Sequence, residues 1–174
     1  MRQKRITVLA HGEGESEKIF LRYLDACYCR KQMVAVQTGS AGGGNPHTIL
    51  ISAIRARRDE KRAVEYILLD TVPLWPPDMV AKAKEEGIIL IGNTPCVEAF
   101  FLQILDPNFD GAGMTAAACK QLFKSDYCMG HNFDEEHCVR LFPKAVLNDA
   151  RKRMKVLDYI ILTMEGDLSA RYEV

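Results

Sequence analysis

Apolar side chains recur along the first two thirds of the chain in short blocks that alternate between two spacings. Residues 4–10, with Ile6, Val8 and Leu9, form a β-like run that stops at Gly12 and Gly14. Ile19, Phe20, Tyr23 and Leu24 then fall on one face of a helix, so the unit reads strand, glycine turn, helix. Met33 to Gln37 is a second short strand, followed by the stretch Thr38 to Gly44 with four glycines. Asn45-Pro46 supplies a cap and a first-turn proline for a helix carrying Leu50, Ile51 and Ile54. Val64 to Leu69 is apolar apart from Glu65, the pattern of a strand buried on both faces, and it ends at Asp70. After Pro73, Pro76 and Pro77 comes a short helix, Asp78 to Glu86, stopped by Gly87, then a fourth strand, Ile88 to Ile91. Asn93-Thr94-Pro95 is expected to cap a helix bearing Val97, Phe100, Phe101, Ile104 and Leu105. This β-α alternation predicts an α/β fold, roughly four parallel strands in a sheet covered by helices on both faces.

Beyond Asp106 the strand signals fade. Helices are expected near residues 115–124 and 134–153, the second broken or restarted at Pro143, and Val156 to Met164 fits either a helix or an edge strand. The 174 residues, 48% of them hydrophobic, suit one domain, read here as a core over residues 4–105 with a helical annex over 106–174. Twenty-three basic and twenty-three acidic side chains cancel, so nothing draws the whole surface toward nucleic acid or an anionic membrane. The first apolar run is far too short for a signal peptide core or a membrane span, which predicts a cytoplasmic protein with no membrane partner. In that setting the six cysteines are read as reduced thiols rather than disulfides.

Candidate chemistry gathers at the strand ends, where ligands bind in open parallel sheets. Glu13 follows the first strand, Glu17 lies in the first helical turns, Asp70 ends the third strand and Glu98 opens the helix after the fourth. Each has an ordinary explanation: Glu17 suits the positive end of any helix dipole, and Asp70 suits an Asx turn. Four carboxylates from three strand ends repel one another unless spacing or cations compensate, and hard divalent cations take oxygen ligands. The grouping of the four therefore points to a site for Mg2+ or Mn2+ and to phosphate chemistry.

The segment Glu13-Gly14-Glu15-Ser16-Glu17, running from a hydrophobic strand into an amphipathic helix, resembles the EGxTE or EGxSE signature of TOPRIM domains in the OLD and RloB-like groups. Asn93-Thr94-Pro95-Cys96-Val97-Glu98-Ala99-Phe100 is similar to the SNPCFE segment of RloB-like proteins. The resemblance spans roughly residues 6–105, with Lys120 to Lys124 and Tyr127 matching only loosely beyond it. It implies a Rossmann-like TOPRIM sheet with a metal-binding acidic site, in a metal-dependent nuclease or related phosphoryl-transfer protein of phage defence or restriction, acting on DNA or RNA, often with a companion ATPase. Carried over, Glu13 would be the catalytic or metal-binding glutamate, Glu17 its second-metal neighbour, Asp70 the first aspartate of a DxD pair and Glu98 a supporting acid. The sequence departs from that pattern at Asp70-Thr71-Val72, since valine cannot ligate a cation, and only Asp78, across the proline loop, offers a replacement. The alternative is a degenerate TOPRIM module that no longer cuts and binds a partner ATPase or a phosphate-bearing ligand.

Other features admit two readings each. The Gly39 to Gly44 stretch is either a phosphate-cradling loop or a plain connection, and it lacks the GK[ST] ending of a P-loop. Arg55, Arg57, Arg58, Lys61 and Arg62, and again Arg151, Lys152, Arg153 and Lys155, are either backbone contacts for nucleic acid or solvated helix faces. Cys119, Cys128, His131, His137 and Cys138 match no common zinc spacing. Trp75 is expected to close over the core, cover the acidic site or anchor a partner.

Overall fold

The structure, a computed structural model, describes residues 6–31, 33–40, 42–57, 63–169 and 172. Four strands, β1 (Ile6–Gly12), β2 (Val34–Ser40), β3 (Val64–Asp70) and β4 (Ile89–Asn93), alternate with α1 (Glu15–Tyr28), α2 (Pro46–Ala56), α3 (Pro77–Glu85) and α4 (Val97–Leu105). All strand pairs are parallel and the order is β2-β1-β3-β4. The chain thus leaves β1 toward one side of the sheet and returns as β3 on the other. In open α/β sheets ligands bind at such a reversal, and here Glu13 and Asp70 stand there, at the carboxyl ends of β1 and β3.

The period of two in β3 sorts its side chains between two cores. Tyr66 and Leu68 join Val8, Ala10 and Ile91 in a large cluster with α1 and α4, whereas Ile67 and Leu69 join Leu90 in a smaller one under α2 and α3. Burial on both faces explains the unbroken apolar run read from the sequence. Four further helices, α5 (Ala116–Asp126), α6 (Glu135–Leu141), α7 (Lys144–Ala150) and α8 (Lys155–Glu165), complete the large cluster through Phe123, Phe142, Leu147, Leu157 and Ile160. The annex therefore shares its core with the sheet. Phe101 sits among Phe20, Phe123, Phe133 and Phe142, with ring centroids 4.9–5.4 Å away, and ties α1, α4, α5 and the segment around α6 together.

Several boundaries differ from the sequence reading. β1 and β2 each run further than expected, so Gly39 and Ser40 belong to β2 and not to the loop. The long pattern at 134–153 divides into α6 and α7 at Pro143, and the ambiguous segment from Val156 is helical in α8, ended by Gly166 in the left-handed conformation (φ 88°). The cap of α4 is Cys96, not the expected Asn93-Thr94-Pro95. Among the described residues no helix is long and apolar enough to cross a membrane.

Candidate functional site

The acidic site is assembled by backbone before any side chain reaches it. Gly12 brings α1 against the end of β1: a Cβ there would lie 2.5 Å from the Glu17 Cβ, so only glycine permits this approach. The Glu13 amide donates to the Leu68 carbonyl at 3.0 Å, and the Glu13 carbonyl accepts from the Gly43 amide at 2.8 Å. The backbone of Glu13 is thereby clamped between β3 and the glycine loop. Its side chain turns toward β3, where Oε2 accepts from the Asp70 amide at 2.9 Å. Asp70 in turn accepts at Oδ1 from the Val97 amide, also at 2.9 Å, and so caps the first turn of α4 in place of Asn93 or Thr94.

Glu17 is only 4% exposed, and its Oε2 accepts from the Gly14 amide at 3.0 Å, closing the first turn of α1 on itself. Glu98 lies in the first turn of α4, and its Oε2 is buried without a hydrogen-bond partner among the described residues. One further group, noted in the sequence only within a loosely matching segment and given no role there, joins the four carboxylates. Lys120 Nζ, on α5, stands 3.8 Å from Asp70 Oδ2. No spacing rule links residue 120 to residue 70; the packing of α5 on α4 brings them together.

Crowding leaves an electrostatic signature. Burial pushes the Asp70 carboxyl up to about 7, and the nearby charges of Glu13 and Glu98 add to the effect against the opposing pull of Lys120 and the Val97 amide. Burial likewise lifts Glu17 to about 7, with Asp70 and Glu13 contributing and backbone hydrogen bonds opposing. Partial burial acts to lower the Lys120 pKa, but Glu98, Asp70, Cys96 and Glu17 outweigh it and hold the ammonium above its ordinary value. The charges of neighbouring acids thus bear on Asp70 and Glu17, and both ionise only near neutrality.

Whether these residues suit a divalent cation depends on the oxygens left over. Glu13 and Asp70 each give one oxygen to a backbone amide and keep a second, and Glu98 Oε2 is unengaged. All are hard donors of the kind magnesium and manganese take. No group of three or more His, Cys, Asp or Glu among the described residues is placed to hold a metal ion by itself. Magnesium, however, commonly binds through one or two carboxylates and completes its shell with water and substrate phosphates. The Glu13 and Asp70 pair fits that mode and does not fit a closed cage. Thr71 Oγ1 bonds Thr94 Oγ1 at 2.9 Å, Val72 is exposed, and Asp78 Oδ2 pairs with His47 Nε2 at 3.3 Å. Asp78 is therefore engaged with α2 and is no substitute for a second DxD aspartate.

The remaining sequence candidates resolve into structural duties. The Gly42 and Gly43 amides are taken by Ser40 Oγ and the Glu13 carbonyl, so these two do not line a phosphate cradle. Arg57 holds Glu65 at 2.9 Å and Glu86 at 2.6 Å; Arg58, Lys61 and Arg62 lie outside the described residues. Arg151 pairs with Asp158 and Glu165, while Arg153 donates to the carbonyls of Gln103 and Ile104. Cys119, Cys128 and Cys138 are buried free thiols, burial pushes Cys138 up to about 12, and His137 is held by Asp134. Trp75 donates from Nε1 to the Asp70 carbonyl at 2.9 Å and packs with the smaller cluster, behind the acidic site and not over it. Compared with protein-family models, curated proteins and solved structures, the chain finds no match in any of the three.

Proposed function

We propose that the acidic site between β1 and β3 is a divalent-cation-assisted phosphodiester site, and that the protein is a nuclease or related phosphoryl-transfer protein of the RloB-like TOPRIM kind. One observation supports this above all: Glu13 and Asp70, 57 positions apart, are joined by a 2.9 Å hydrogen bond at the sheet's point of reversal, and the second Asp70 oxygen faces only Lys120, at 3.8 Å. Magnesium or manganese, when bound, supplies charge neutralisation at the phosphate and activation of water. Glu13 and Asp70 hold the cation through their remaining oxygens. Glu17, lifted to about 7, is poised to accept a proton near neutrality, and Glu98 Oε2 offers a second acceptor for water. The Lys120 ammonium provides a positive charge beside Asp70 for a non-bridging phosphate oxygen.

A second reading has its own support. Val72 stands where a second aspartate is wanted, and Asp70 and Glu17 each spend an oxygen on a helix terminus, as purely structural acids do. On that reading the module binds a partner ATPase or a phosphate-bearing ligand without cutting. Manganese titration by calorimetry, paired with cleavage assays on DNA and RNA, separates the two. The nuclease reading expects saturable uptake and cleavage, both abolished by Glu13→Gln. Cleavage that survives this substitution overturns it, and absence of specific uptake favours the degenerate module.

A further inference from the structure

Beside the acidic site, on the outer edge of the sheet, β4, α4 and the start of α8 enclose a cleft of about 300 Å³. At its floor lies Asn93, the strand neighbour of Asp70 and only 1% exposed. Neither the Nδ2 nor the Oδ1 of its amide has a hydrogen-bond partner among the described residues. A buried amide that leaves both a donor and an acceptor unmade costs stability, and such groups call for an explanation. The cleft wall carries Phe100 and Val156, and at its rim stand Arg153 and Lys155, both exposed. A cavity floored by one paired donor and acceptor, walled by an aromatic ring and an aliphatic side chain, and rimmed by cations has the chemistry of a base-binding pocket.

Position strengthens the assignment. Asn93 and Asp70 are paired residues on adjacent strands, so the backbone that carries the amide lies roughly 5 Å across the sheet from the backbone that carries the proposed cation ligand. A base stacked in a duplex cannot enter such a pocket without being extruded. We propose that the cleft takes one unpaired nucleobase of a single-stranded nucleic acid, with Asn93 reading the base edge. The assignment rests on the phosphodiester reading of the neighbouring site and gives it a substrate class.

The test compares fluorescence anisotropy of short single-stranded homopolymers, as RNA and as DNA, with abasic strands of equal length, in EDTA and again in calcium. Mononucleotides in the same assay distinguish a free nucleotide from a strand as the source of the base. The expected result is at least one base bound ten-fold or more tightly than the abasic strand, in either buffer. Asn93→Leu keeps the side-chain shape and removes the amide; it should bring base-bearing and abasic strands within two-fold of each other. Val156→Trp fills the cleft with Asn93 intact and should do the same. Equal binding of base-bearing and abasic strands by the unaltered protein in both buffers overturns the proposal, as does a base preference that survives both substitutions. Manganese calorimetry requires no nucleic acid, so failure of the carboxylate reading is registered separately.

Discussion

At the scale of the residue, the carboxylates of the acidic site carry a cost that depends on pH. Glu17 and Asp70 ionise near 7 in the fold, against ordinary values of 4.5 and 3.8. Between those limits the folded chain holds protons that the unfolded chain has released, so stability falls as pH rises and levels off above neutrality. The contribution is fully present below about pH 4 and lost through about pH 7. Glu17→Gln keeps an oxygen for the Gly14 amide but removes the charge. Its melting temperature should exceed that of the unaltered protein at pH 8, by roughly 2–4 °C for each kcal/mol recovered, and match it at pH 4. An equal shift at both pH values would show that the charge is not the cause. The four acids were legible in the sequence as a set because each ends a strand or opens a helix. Their partners were not: the Val97 amide and Lys120 meet Asp70 only after α4 and α5 have packed.

Individual elements join through buried polar links as well as through apolar faces. Glu65, the one charged residue in the apolar run of β3, is 1% exposed and bonds Arg57 at the end of α2, with His11 Nε2 of β1 at 3.4 Å. Arg57 also reaches Glu86 at the end of α3, so one guanidinium fastens two helices to the sheet. Removing it takes from a buried carboxylate a charge-assisted hydrogen bond worth about 1.5–3 kcal/mol. Arg57→Ala should therefore lower the urea midpoint substantially with little change in slope, and a loss under 1 kcal/mol would argue against this role. In sequence, Arg57 looked like one member of a basic cluster facing solvent or nucleic acid. Charge runs carry no information about which member turns inward, and here a buried glutamate eight residues away decides it. Strands and helices were nonetheless read nearly to their ends, because glycines and prolines punctuate the chain where the hydrophobic period changes.

For the whole molecule, the last third of the chain is structural necessity more than appendage. Val8, Ala10, Tyr66 and Leu68 present one sheet face that α1 and α4 cover only in company with α5 to α8. Residues 1–105 alone would expose that face and should show no cooperative thermal transition; a sharp melt from this fragment would show that the core stands without the annex. The sequence suggested one domain with a helical annex, but not how the annex packs, since helical periodicity, read locally, does not reveal what a helix lies against. Long-range packing of Phe101 with Phe142 supplies what the local pattern withholds. The proposed base cleft has the same origin, for it exists only where the start of α8 returns to the edge of the sheet.

The indole of Trp75 bonds the main-chain oxygen of Asp70, and the chain has no other tryptophan. Tryptophan emission from this protein therefore comes from a single indole tied to the backbone of the acidic site, so occupancy by an ion or a strand can be followed optically in the unlabelled, unmutated molecule.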